Sequence, residues 1–271
     1  MMDWILSHET ALRFGAYGGV LAAMAGAEAL WPRRQRSQKR AGRWLNNLGI
    51  AALNSLLLTL IFPLLALGLA LIAAEKGWGL FNLIAAPVWL EVLLAIVILD
   101  FIIWAQHLMF HKIGFLWRFH AMHHVDLDID TTTGVRFHPV EIILSMLIKF
   151  GAVVLLGPAA VAVLLFEVLL NATALFNHAN LRLLSRLDRI LRTIMVTPDM
   201  HRVHHSVHRD ETDSNFGFNL SVWDRMFGTY RAQPRDGHLD MAIGLDERRR
   251  LEDTLGVQMV LIPWTLGKDR L

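Results

Sequence analysis

The sequence predicts an all-α integral membrane protein. It reads as a bundle of about five spanning helices with a cytosolic helical cap that carries a histidine-rich dinuclear metal site. Three observations lead there. The 271 residues are 54% hydrophobic and 18% charged, against about 25% charged in ordinary soluble domains, so the chain lacks the polar surface that water demands. Its apolar residues gather into runs long enough to cross a bilayer, for which about 20 residues suffice. Of 13 histidines, 11 lie between His107 and His208. The absence of cysteine excludes disulfides, thiolate zinc and iron–sulfur sites and a thiol nucleophile. Lys+Arg 26 against Asp+Glu 24 is too even a balance to suggest a nucleic-acid partner.

Taken in order, the first predicted span is Phe14–Trp31, whose only charge is Glu28. It has no basic leading segment, so it reads as a retained helix rather than a signal peptide. Residues 33–43 follow with six cations and no anion, the mark of a cytoplasmic loop beside spans. The second span, Leu48–Ala74, is 27 uncharged residues, kinkable at Pro63 and long enough to require tilt or an interfacial end. The third, Val88–Ala105, carries Glu91 and Asp100. The fourth and fifth, Val140–Gly157 and Ala159–Asn177, meet at Gly157-Pro158, a turn dipeptide read as a hairpin tip. Counting from the basic loop places the N-terminus and that tip outside. Residues 106–139 and everything after Asn177 are then cytoplasmic, so all the dense histidine motifs share one side. Within the hairpin, Lys149 and Glu167 sit at nearly one depth, about 12–14 Å from the tip, and are predicted to pair, because charges in a membrane seek each other.

The histidine motifs are His107-x-x-x-His111, His120-x-x-His123-His124 and His201-x-x-His204-His205. Helical residues three and four apart share a face, so each H-x-x-H-H is expected to aim three imidazoles one way. Eight nitrogens are too many for one ion, since a catalytic zinc takes three protein ligands. Two ions with four or five imidazoles each would use the set. Imidazole suits iron, zinc, copper and nickel, which leaves the metal open. Haem would use only one or two axial imidazoles, the H-E-x-x-H of zinc hydrolases is absent, and a metal transporter would hold its ligands at the bilayer midplane. His178 emerges at the depth of the motifs and is read as a ninth ligand. His208 continues the 201/204/205 face as a ligand or a neighbour of one. His138 precedes a proline that starts a helix, and it lines the site, orients a ligand or enters the helix. Asp100, two turns before His107, is placed to accept an imidazole N–H or to end the helix as a charge. His8 and His238 are read as structural.

These motifs, with His138-Pro-x-Glu141, Asn177-His-x-Asn180 and the closing run Asn215–Thr229, resemble the fatty acid hydroxylase/sterol desaturase superfamily. The likeness extends over roughly Ile98 to Tyr230. It implies an integral membrane, non-haem di-iron oxygenase that hydroxylates or desaturates a lipid (sterol, fatty acyl, sphingolipid or ether lipid). The cofactors implied are two iron ions, replaceable by zinc in recombinant protein, with O2 as co-substrate. The domains implied are a transmembrane region at 1–97, a catalytic domain at 98–230 that includes the hairpin 140–177, and a C-terminal cytosolic tail at 231–271. Some members carry a further histidine pair before the last motif, where this chain has only His178. No flavin, nicotinamide or iron–sulfur motif is present, so electrons must come from an external donor such as ferredoxin, a cytochrome b5-like protein or a pterin. Around the last motif, Asp213, Asn215 and Asp224 are candidates to hold imidazole tautomers, while Trp223 and Phe227 read as packing. The competing readings are a catalytically silent metal-binding membrane scaffold and a zinc-dependent lipid hydrolase that needs no O2.

Overall fold

The computed structural model describes residues 2–267; residues 268–271, the end of the predicted C-terminal tail, lie outside the described residues. Among the described residues the chain is helical, and extended segments meet only at isolated bridges. The N-terminal half runs α1 (Met2–Ser7), α2 (Glu9–Leu30), α3 (Arg40–Ile61), α4 (Ala66–Lys76), α5 (Leu80–Leu83) and α6 (Val88–Lys112). Then come α7 (Gly114–His124), α8 (Pro139–Leu156), α9 (Ala160–Asn177), α10 (Ser185–Leu191), α11 (Pro198–His204), α12 (Arg209–Thr212) and α13 (Val222–Met226).

Among the described residues, four stretches are long and apolar enough to cross a membrane: residues 40–83, α6, α8 and α9. The hairpin helices match the predicted spans to within a residue. The first predicted span is not among the four; α2, which holds most of it, also carries Glu9, Arg13 and Glu28. The second is corrected. It is not one kinked helix but two, since α3 stops at Ile61, the chain is extended at Phe62 and at Leu65, and α4 starts afresh at Ala66. Pro63 has no N–H to give, and it bars the residue before it from helical backbone.

Contacts along the bundle fix its two ends. Glu28 of α2 accepts from Thr131 N and Asn180 N at 2.7 and 2.8 Å, and Arg13, one helix length earlier, meets Glu167 at 2.7 Å. α2 therefore runs parallel to α9 and leaves at the histidine end. Asn54 of α3 donates to the Phe137 carbonyl at the entry to α8 (2.8 Å), Phe62 meets Phe150 halfway along (5.1 Å), and Gly79 reaches Gly157 at the far end. A Cβ on Gly79 would lie 2.1 Å from the Gly157 nitrogen. Gly157 itself closes α8 at φ 59°, in the left-handed region that glycine enters without cost. The predicted pair is present, with Lys149 Nζ 2.7 Å from Glu167. Arg13 makes it a triad, so Glu167 answers two cations.

At the histidine end, Arg43 of α3 is buried against Asp126 (2.7 Å) and Asp130, and Asn47 donates to Thr132 (3.0 Å). These bonds pin the 125–138 segment over the ends of α3 and α9. Residues 245–266 lie on α7, with Leu245, Met259 and Ile262 packed on Trp117, Met122 and Val125.

Candidate metal centre

The histidines arrive on four short approaches. α6 carries His107 and His111 to its last turn. The chain then breaks at Ile113 and restarts as α7, which brings His120, His123 and His124 back over them. His178 closes α9. α11 begins at Pro198, after Thr197 accepts from Met200 N, a hydroxyl cap followed by a first-turn proline. It delivers His201 and His204, and His205 follows at its end.

The imidazoles form two groups, His107, His111, His120, His124 and His204 in one and His123, His178, His201 and His205 in the other, every ring buried. The expectation that each H-x-x-H-H aims three rings one way is corrected here. In 120–124 the i/i+4 pair serves the five-ring group and His123 the other; in 201–205 the i/i+4 pair serves the four-ring group and His204 the other. At 100° per residue the i and i+4 positions differ by about 40°, whereas i+3 and i+4 differ by about 100°, enough to divide one helix face between two centres.

Hydrogen bonds decide what the rings offer. His107 Nδ1 donates to the Phe216 carbonyl (2.8 Å), His204 Nδ1 to Ser214 O (2.7 Å), His123 Nδ1 to Arg136 O (3.1 Å) and His178 Nδ1 to Ala174 O (2.7 Å). His120 Nδ1 donates to Glu141 Oε1 at 2.7 Å. A carbonyl or carboxylate only accepts, so each of these Nδ1 atoms bears the proton and each neutral ring presents a bare lone pair at Nε2. Yet the Nε2 atoms of His107 and His120 lie 3.1 Å apart, as do those of His123 and His178. The buried Nε2 atoms of His111, His124, His204 and His205 have no protein partner. Lone pairs converge on lone pairs, an arrangement that only an electropositive centre between them makes favourable. The residues fit metal ions.

Burial disfavours the charged form in most of these rings. It pushes His123, His124, His201 and His205 well below the usual imidazole value, with neighbouring imidazoles adding to the effect. It brings His178 down to about 4 and His204 to about 3. A metal ligand must be a neutral imidazole, so burial holds these six rings in their ligating form.

The surrounding residues meet the sequence expectations at Asp213 and depart from them elsewhere. Asp213 lies beside His111 (3.4 Å), and it also holds Lys112 and Arg209. Asp100 meets no imidazole: it accepts from Asn219, Leu220 N and Trp223 and fixes the closing run to α6. Asp224 binds Phe216 N, Gly217 N, Trp104 and Thr229. Asn215, at φ 52°, clamps Met200 O and Arg231. Asp100, Asp224 and Asn215 thus shape the backbone whose carbonyls hold His107 and His204, and these three do not touch the rings. His138 belongs to neither group; its Nδ1 accepts from Val140 N and caps α8. His208 turns outward to Asp236 (2.8 Å), because α11 has ended at His204 and the helical face it was expected to continue no longer exists. Glu141, not singled out as a site residue from the sequence, holds His120. Its signal was the His138-Pro-x-Glu141 motif, but an acid in a helix's first turn equally serves the helix dipole.

Phe137 stacks on His123 (4.7 Å, 6°) and Phe218 approaches His107 (5.0 Å). Both belong to an apolar cluster with Leu99, Ile103 and Phe166 that continues from the imidazoles into the bundle.

The fatty acid hydroxylase family matches residues 92–229, about half of the chain. An ornithine lipid hydroxylase of Rhizobium tropici is 31% identical over 58% of this chain and 46% of its own length. The alkylglycerol monooxygenase of Homo sapiens is 29% identical over 49% of this chain and 29% of its own. That of Xenopus tropicalis is 31% identical over 56% and 34%. The match thus spans less than half the length of each of these relatives. No solved structure matches the chain.

Proposed function

The chain belongs to the fatty acid hydroxylase family, and from that membership and its converging imidazoles we propose that it is a membrane oxidoreductase that hydroxylates a lipid with O2, using two iron ions and an external electron donor. The observation that carries the reading is the set of Nε2 lone pairs in two adjacent groups of five and four. His107, His111, His120, His124 and His204 would hold one ion, and His123, His178, His201 and His205 the other. The ions would supply the activation of O2 that a C–H bond requires and that no side chain provides. The protein's own part is to fix the tautomers through backbone carbonyls and Glu141, to keep the rings neutral by burial, and to lead an apolar chain to the site along Phe137 and Phe218. Hydroxylation is preferred to desaturation because the relatives' names are those of hydroxylases and monooxygenases.

In the same reading, α2 and the 40–83 run join α6, α8 and α9 as five spans, and the histidine layer forms a cap on the cytosolic face. The basic loop 33–43 lies at the same end of the bundle as the histidines, since Arg33 meets Asp199 (3.0 Å) and Arg43 meets Asp126. Under the positive-inside rule that end is cytoplasmic and the N-terminus is outside.

The test is purified protein loaded with iron and supplied with reductant and membrane lipid extract. Two ions per chain, O2 uptake that depends on lipid, and a product heavier by one oxygen are expected. Metal binding without O2 uptake would favour the silent scaffold, and lipid cleavage without O2 the zinc hydrolase. Lipid profiles of cells with and without the gene would then identify the substrate.

A further inference from the structure

One surface at the histidine end is unlike the rest. The connection between α9 and α11 exposes Leu184, Leu187, Ile190 and Ile194, three of them by more than 60%. Among them stand Arg182, Arg186 and Arg189, exposed and with no carboxylate partner among the described residues. The one acid of the segment, Asp188, is taken by Arg192 and Thr197. Soluble proteins seldom expose such an apolar row.

The row is continuous with the lipid-facing bundle on both sides. Arg182 N donates to Trp31 O (2.9 Å), which sets the segment against the end of α2, where Leu30 and Trp31 are exposed. Between them opens a half-open cleft of about 470 Å³, with Trp31, Arg182 and Leu184 among its walls. On the other side Ser221 N donates to Ile194 O (3.0 Å) and leads to α13, where Met226 and Phe227 are exposed. Phe227 stacks on Trp104 of the spanning helix α6 (4.6 Å). Apolar residues beside unpaired arginines, at the level where helices leave the bilayer, match the pattern of interfacial segments.

We propose that residues 181–194, with Trp31, Met226 and Phe227, form a collar that lies in the headgroup layer of the membrane, and that Arg182, Arg186 and Arg189 bind anionic lipid headgroups there. The occupant follows from charge and continuity: three cations without counter-charge at a surface that extends the lipid-facing helices. Juxtamembrane basic residues contribute roughly equal increments of attraction to anionic leaflets, so the three should act together.

The absence of cysteine makes the test direct. Leu187→Cys and Ile190→Cys, each carrying an environment-sensitive fluorophore, are compared with Arg250→Cys in full-length protein in nanodiscs of phosphatidylcholine, with and without one third phosphatidylglycerol. Nitroxide near the top of the acyl chains should quench the 187 and 190 labels at least twice as strongly as the 250 label, aqueous iodide should do the reverse, and phosphatidylglycerol should deepen the contrast. Arg182→Gln/Arg186→Gln/Arg189→Gln should remove the dependence on phosphatidylglycerol while metal content, which reports folding, stays unchanged. Iodide reaching 187 and 190 as easily as 250 would overturn the collar. Protection from both quenchers would also overturn it, by indicating a protein partner. Quenching indifferent to lipid charge would overturn the anionic site.

Discussion

The two imidazole groups differ in how their rings are held. In the five-ring group His120 leans on the Glu141 carboxylate (2.7 Å) and His111 faces Asp213 (3.4 Å), while His107 and His204 use carbonyls. In the four-ring group His123 and His178 rest on carbonyls, and the Nδ1 of His201 is buried without a partner. A carboxylate behind an imidazole raises its basicity as a ligand. On the proposed reading the five-ring group would then have both the larger donor set and the stronger donors, and the four-ring group would be the weaker and more easily opened of the two.

The largest expected effect follows from ring count. His178→Ala should reduce metal from two ions per chain to one and abolish activity, whereas His124→Ala, which leaves four rings, should retain more metal; elemental analysis after gel filtration decides. Equal losses would erase the distinction between the groups, and His8→Ala should change nothing. Next comes chelator titration of the iron-loaded protein, read by metal content, in which one ion should leave well before the other. Glu141→Gln should weaken the tighter phase about 10–100-fold and bring the two phases together; if the looser phase shifts instead, the assignment of strength is reversed. Acid then tests what both groups share. His178 and His204 sit near 4 and 3 in the fold and near 6.5 unfolded, so below about 6.5 the unfolded chain takes up protons that the folded chain refuses. In metal-free protein their contribution is complete above that pH and is lost as pH falls toward 4, which should lower the Tm in detergent by several degrees between pH 7.5 and 5. The smallest effect is expected at Asp224→Asn, which loosens the Phe216–Gly217 turn behind His107. It should perturb the five-ring group and leave the affinity of the four-ring group unchanged.

The histidine motifs and the hairpin were legible because their signals are local. Spacing within one helix, a Gly-Pro tip and unbroken apolar runs all come from neighbouring residues, and nearly equal counts from the tip were enough to pair Lys149 with Glu167. Arg13 was not legible as the third member, since nothing in its surroundings indicates that α2 lies alongside α9. The partners of the rings were illegible for a related reason: four of the six that meet Nδ1 in the fold are backbone carbonyls, which every residue has. Asp100 was misplaced because two helical turns separate it correctly from His107, but the closing run, more than a hundred residues later, supplies three donors that reach it first. The break at Pro63 was half visible. The proline marked the place, but whether the chain bends or stops there depends on how Phe62 and α4 pack against α8.

α11 contributes to both imidazole groups, and this sets the order in which the molecule can be built. On the proposed reading neither ion site is complete until residues 201–205 have been synthesised and folded back over α6 and α7. By then every apolar run of the chain has left the ribosome and entered the bilayer. Metal delivery is therefore a late, post-insertion event, and both ions must be acquired by a bundle that is already threaded. A chain cut short before α11 would be left with a membrane stem and a set of idle imidazoles, rather than with one working centre out of two.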